Sequence, residues 1–171
     1  MAGSAPLHIL ANYNLPLKTA LCVSRVMDYI KYHYDELLKL LITISSESKI
    51  QLEAHGIGNA EEEMATDLLT HFIEYKDELI SAELITIDHA KAISEIDSFF
   101  SSHDNDEDEL FWSGIETHPD WDILRRMAES VLLLMKKDNL TIKISIKNTT
   151  SWFSNNITCQ EIGIDLVEKY T

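Results

Sequence analysis

From Leu17 onward the apolar residues recur in steps of three and four, at Leu17, Leu21, Met27, Ile30, Tyr34, Leu37, Leu41 and Ile44. That spacing gathers side chains on one face of an α-helix. Asn14 and Pro16, just ahead of the run, suit a cap and a first turn. One main buried face is expected. Ser45-Ser46 marks a break or bend, and "GIGN" at 56–59 marks a terminator. A second helix follows in "NAEEEMATDLLTHFIEYKDELI", where Asn59 and Glu62 stand in capping-box register and Glu61 to Glu63 meet the positive end of the helix dipole. Its stripe is Met64, Leu68, Phe72, Tyr75 and Leu79. A shorter helix is expected from about Asp88 to Phe100, with Ala92 or Ile93, Ile96 and Phe100 facing inward.

Beyond the segment "SSHDNDEDELFWSG" at 101–114, which reads as a loop, "THPDWDILRRMAESVLLLMKKDN" predicts another helix. Thr117 or His118 caps it, Pro119 and two Asp open it, and Lys136 and Lys137 fall in its last turn. Trp121, Leu124, Met127 or Ala128, Val131 and Leu134 or Met135 form the core side. The period then changes. In "LTIKISIK" the apolar residues Leu140, Ile142, Ile144 and Ile146 alternate with polar ones, the pattern of a strand with one exposed face. A lone strand leaves backbone groups unpaired, so a partner is expected within "SWFSNNITC" or across a dimer interface. "TCQEIGIDLVEKY" reads as a short terminal helix from the capping-box register of Thr158 and Glu161, although "EIGIDLVEKY" also suits a strand.

These elements predict a mainly α fold, a four- or five-helix bundle-like domain with a small C-terminal β-element. A chain of 171 residues is in the range of one domain, read as 1–171, and buries about two thirds of its unfolded surface. With 45% hydrophobic residues it has the material for a core despite a net charge of −15. The charge is uneven. Residues 1–60 balance at zero, residues 61–122 carry two basic against nineteen acidic side chains, and residues 123–171 carry seven against five. An acidic middle third repels nucleic acid and anionic membranes and attracts basic proteins or cations. Neither direct nucleic-acid contact nor membrane contact is expected, and "VLLLM" at 131–135 is too short to cross a bilayer. The N-terminal residues lack the form of a signal peptide, and Cys22 and Cys159 show no metal-ligand spacing, so a reducing, cytoplasmic setting is expected.

The acidic segment sets Asp104, Asp106, Glu107, Asp108 and Glu109 ahead of Phe111 and Trp112. As a calcium loop beginning at Asp104 it fails at both decisive places. Glu109 stands where a tight turn needs Gly, and Ile115 where a bidentate Glu should close the shell. The aromatics either anchor the loop or form a contact in which they supply buried area while the acids steer a basic partner.

A competing class is a metal-dependent helical enzyme. His33 and Glu36 share a face of the first helix, and His71, Glu74 and Glu78 share one on the second. Those faces read as mostly polar, and neither Glu-x-x-His nor His-Glu-x-x-His occurs on these helices. No Gly-rich phosphate loop or Gly-x-Ser-x-Gly is present, and no cofactor is implied. The leading expectation is an acidic protein-binding or inhibitory protein that neutralises a basic partner, masking its nucleic-acid-binding surface. Arg125, Arg126, Lys136 and Lys137 pair with the acidic third internally or supply the positive half of a self-association contact, so a homodimer stays open.

Overall fold

A computed structural model describes residues 17–104, 110–150 and 157–169 of the chain. The fold is mainly helical, with about four core helices and a small C-terminal two-stranded antiparallel sheet. Helix α1 runs Leu17–Ser45, α2 Ser48–His55 and α3 Ala60–Leu68. A π-helical turn at Leu69–Ile73 leads to the short α4 at Lys76–Ser81, then α5 at Ile87–Ser102. A 3-10 turn at Phe111–Ser113 precedes α6 at Asp120–Leu134, and strands β1 at Leu140–Thr150 and β2 at Ile157–Glu168 complete the order.

Helix α1 is the central element. Rather than burying one stripe, it buries Leu37, Leu38, Leu40, Leu41, Ile42 and Ile44 on nearly every side, because α3 with the π turn, α6 and the hairpin all pack around it. Each such aliphatic side chain contributes about 1.5–3 kcal/mol when fully buried. The break at Ser45-Ser46 is real. Both hydroxyls turn back onto the Ile42 carbonyl, and Gly56, at φ +65°, ends α2 in the left-handed region with the Gln160 side chain pressed against it.

The second predicted helix is interrupted. Asn59 caps α3 by accepting from the Glu62 N–H at 3.2 Å, but the π turn and Tyr75 divide the rest. The π turn still delivers Phe72 to the core and carries His71 toward α1. Helix α5 begins at a capping box the sequence reading missed, Thr86 accepting from His89 N–H and His89 Nδ1 accepting from Thr86 N–H. Its inward residues are Ala90, Ile93, Ile96 and Phe100. At α6 the His118 ring nitrogen accepts from the Asp120 N–H, and Trp121, Leu124, Ala128, Val131 and Leu132 face the core. Lys136 and Lys137 lie beyond its end. Lys136 has φ 56°, a left-handed residue that turns the chain toward β1.

The C-terminal segment corrects the helical expectation, for it is strand β2. Ile162, Ile164 and Leu166 alternate at period two and pair directly with Ile146, Ile144 and Ile142 of β1. This alternation outweighs the local capping register of Thr158 and Glu161. The apolar face lies toward α1 and α2, and Leu140, Ile142 and Leu166 join the core. Among the described residues no helix is long and apolar enough to cross a membrane.

Candidate functional site: an acidic groove between two helices

Helix α3 and helix α5 present the same spacing to one another. Glu62, Ala65 and Thr66 of α3 and Leu69 of the π turn recur at i, i+3, i+4 and i+7 on one side; Asp97, Phe100 and Ser101 of α5 and Asp104 just beyond its end do so on the other. Small Ala65 and Ser101 near the middle of each row leave space between the helices. The result is an open groove of about 910 Å³, which Trp112 and Ser113 of the 3-10 turn also line. Asp97 is half-buried, while Glu62 and Asp104 are exposed. None of the three carboxylates has an ion-pair partner among the described residues.

Trp112 is held in place from several directions. Its indole N–H donates to the His103 carbonyl at 2.9 Å, and its own carbonyl accepts from Asn59 Nδ2 at 3.3 Å. Its ring lies near-parallel to Phe100 at 6.1 Å and edge-on to Phe111 at 5.0 Å. Part of its surface remains open to the groove. The Asn59 that caps α3 therefore also ties this tryptophan to the helix lining the opposite wall.

Phe111, proposed from the sequence as a contact residue, is instead fully buried. Its ring stacks between Trp121 at 5.0 Å and His103 at 4.0 Å, and its carbonyl accepts from the Trp121 indole N–H. A side chain so enclosed has no area to offer a partner. It anchors the turn that carries Trp112, so the two adjacent aromatics have opposite roles. His103 braces the same turn: Nδ1 is 2.9 Å from the Phe99 carbonyl and Nε2 2.9 Å from Asp120 Oδ2. The Ser102 hydroxyl lies 3.2 Å from the same Nδ1, so the ring is held on both of its nitrogens. Below, the Ile115 N–H donates to buried Glu61, and the Ile115 carbonyl accepts from Arg125, which also donates to Gln51 and Asp122. Asp104 is at the groove's edge; Asp106, Glu107, Asp108 and Glu109 lie outside the described residues.

His33 and His71 do come together, with Nδ1 atoms 3.1 Å apart. The setting is not the polar face expected from sequence. His33 is only 4% exposed, stacked on Tyr75 at 3.7 Å and edge-on to Tyr29 at 4.6 Å. Burial, and then the charge of His71, lower its basicity, against smaller opposing effects of Glu74 and Glu36. Glu36 is held by Lys39 at 2.8 Å, and the Tyr29 and Tyr75 hydroxyls share a 2.6 Å hydrogen bond. Glu78 is exposed. No group of three or more His, Cys, Asp or Glu among the described residues is arranged to hold a metal ion. The two imidazoles meet through their Nδ1 atoms alone, and His33 Nε2 stays buried without a hydrogen-bond partner among the described residues.

Comparisons with protein-family models, curated proteins and solved structures found no match. The groove walls were legible only in part. Trp112 and Asp104 stand out in the sequence, whereas Glu62, Thr66, Asp97 and Phe100 look like ordinary helix positions until the two rows are set face to face.

Proposed function

We propose that this chain is an acidic binding protein that engages a basic protein partner through the groove between α3 and α5. The observation that carries this reading is the meeting, in one groove, of three carboxylates that have no ion-pair partner among the described residues and a partly open, firmly held tryptophan. Carboxylates with no internal partner favour a cation brought from outside, and an aromatic ring beside them adds buried area and an attractive face for positive charge. Asp106, Glu107, Asp108 and Glu109 add to the long-range field that draws such a partner in.

The lysines and arginines of a nucleic-acid-binding protein are the groups that neutralise phosphates. A protein that occupies them competes with nucleic acid without touching it, so the activity proposed is inhibitory masking. We place it in the cytoplasm, in keeping with the exposed, unpaired thiol of Cys159.

The test uses a lysine- and arginine-rich peptide carrying labelled duplex DNA at about 0.15 M salt, where screening acts over about 8 Å. Adding the protein should release the DNA at one-to-one stoichiometry, and the release should weaken steeply as salt rises. Retention of the DNA at a large excess of protein would reject this function.

A further inference from the structure

Behind the groove, on the other flank of α3, lies a second hollow of about 410 Å³ lined by Asn59, Glu62, Glu63, Thr66 and Asp67. Glu62 and Thr66 belong to both cavities. Together they form a low ridge with carboxylates on each side, Asp97 and Asp104 toward α5 and Glu63 and Asp67 toward α2. The two sides differ in one respect: the groove has Trp112 and Phe100 in its wall, and the hollow has no aromatic lining.

We infer that the partner presents an arginine-rich segment that lies across the Glu62–Thr66 ridge and places cationic side chains in both hollows, with an arginine on the Trp112 side. This rests on the acidic-binding reading above and specifies its ligand. A guanidinium suits the groove better than an ammonium, since its plane stacks on an indole while its fork of donors reaches carboxylates. The second hollow asks only for positive charge. Glu63 there is already 3.3 Å from His55 Nδ1, and burial pushes the Asp67 carboxyl above its usual range, the condition of an acid that lacks sufficient compensation for its charge. A cation entering from solvent supplies that compensation. Two neighbouring subsites on one ridge also favour a continuous segment over a single side chain, because the second contact forms at high effective concentration.

The experiment measures binding of hexa-arginine and hexa-lysine peptides to the full chain at about 0.15 M salt, where surface attraction is already screened. Variants are Asp97→Asn for the groove, Asp67→Asn for the hollow, Trp112→Leu for the aromatic face, and Asp165→Asn on the distant hairpin as a charge-matched control. Asp67→Asn removes a carboxylate that burial already disfavours, and Asp97 has no ion pair among the described residues to lose, so both variants are expected to fold. Hexa-arginine should bind about two- to five-fold more tightly than hexa-lysine, the preference should vanish in Trp112→Leu, and Asp97→Asn and Asp67→Asn should each weaken binding by up to about five-fold. Asp165→Asn should leave it within experimental error. Equal loss from all three Asp variants, or loss from only one of the two ridge variants, overturns the inference while the acidic-binding reading stands, as does equal affinity for the two peptides. Failure of both peptides to bind the unmodified chain rejects that underlying reading itself.

Discussion

Two regions of this molecule place aromatic rings beside titratable groups, and they resolve that chemistry in opposite ways. Between α1 and the π turn, His33 shares a hydrogen bond with His71, stacks on Tyr75 and sits under the Tyr29–Tyr75 hydroxyl pair. The polar capacity there is largely spent within the fold, apart from the buried, unpartnered Nε2 of His33. Between α3 and α5, Glu62, Asp97 and Asp104 have no ion-pair partner among the described residues, and Trp112 is fixed with part of its surface open. Type of residue does not separate the two sites. The difference is whether each group's partner is internal, and this is why the groove supports a binding role and the histidine pair a structural one.

The largest effect expected is on Phe111, whose role contrasts with that of its neighbour. Phe111→Ala should cost about 3–5 kcal/mol of stability, read by urea denaturation, because it empties a site enclosed by Trp121 and His103. Trp112→Ala should act mainly on the complex, at about 2 kcal/mol or more and chiefly through faster dissociation of a basic peptide. If Phe111→Ala weakens binding while leaving stability intact, the assignment of one ring to the core and the other to the groove is reversed. Asn59→Ala should cost about 1 kcal/mol of stability, since it removes the α3 cap, and should also loosen Trp112 through the lost contact to its carbonyl.

The histidine pair makes a prediction of its own, in direction only. The basicity of His33 is lower folded than unfolded, so its contribution to stability is fully present above its ordinary value near 6.5 and declines as pH falls toward the folded value. In that window the unfolded chain binds a proton the folded chain resists. The facing groups His71, Glu74 and Glu36 act on the same titration, with His71 opposing the proton and the two glutamates favouring it. Asp67, whose carboxyl is raised by burial, gives the opposite trend at lower pH, where protonation relieves it. Urea midpoints at pH 7.5 and 5.5 should fall with pH for the unmodified chain and fall less for His33→Phe, which keeps a ring on Tyr75 but cannot titrate. An equal decline in both would place the acid sensitivity elsewhere.

What could be read from sequence follows the range of each interaction. The α1 break, the Asn59 cap and the start of α6 beside Pro119 and Asp120 depend on neighbours within one turn, and all were legible. Strand β1 was legible from its strict alternation. Strand β2 was harder because Gly163 and a cap-like Thr158–Glu161 pair competed with the alternation of Ile162, Ile164 and Leu166, and pairing with β1 is what settles it. His33 looked polar-faced because the π turn that buries it belongs to another segment. The groove had the same difficulty: Asp97 lies 35 positions from Glu62 in the chain, and only the packing of α3 beside α5 turns two unremarkable rows into one acidic wall.

The most direct measurement of the central claim is stopped-flow association of an arginine-rich peptide with the chain carrying Glu62→Gln, Asp97→Asn and Asp104→Asn together, across a range of salt concentrations. These substitutions remove charge from the groove and leave the core untouched. Slower association, a flatter dependence on salt and faster dissociation than in the unmodified chain are expected, with unchanged stability. Unaltered association and dissociation rates at every salt concentration would contradict it, and would mean that the groove is not where this protein meets a basic partner.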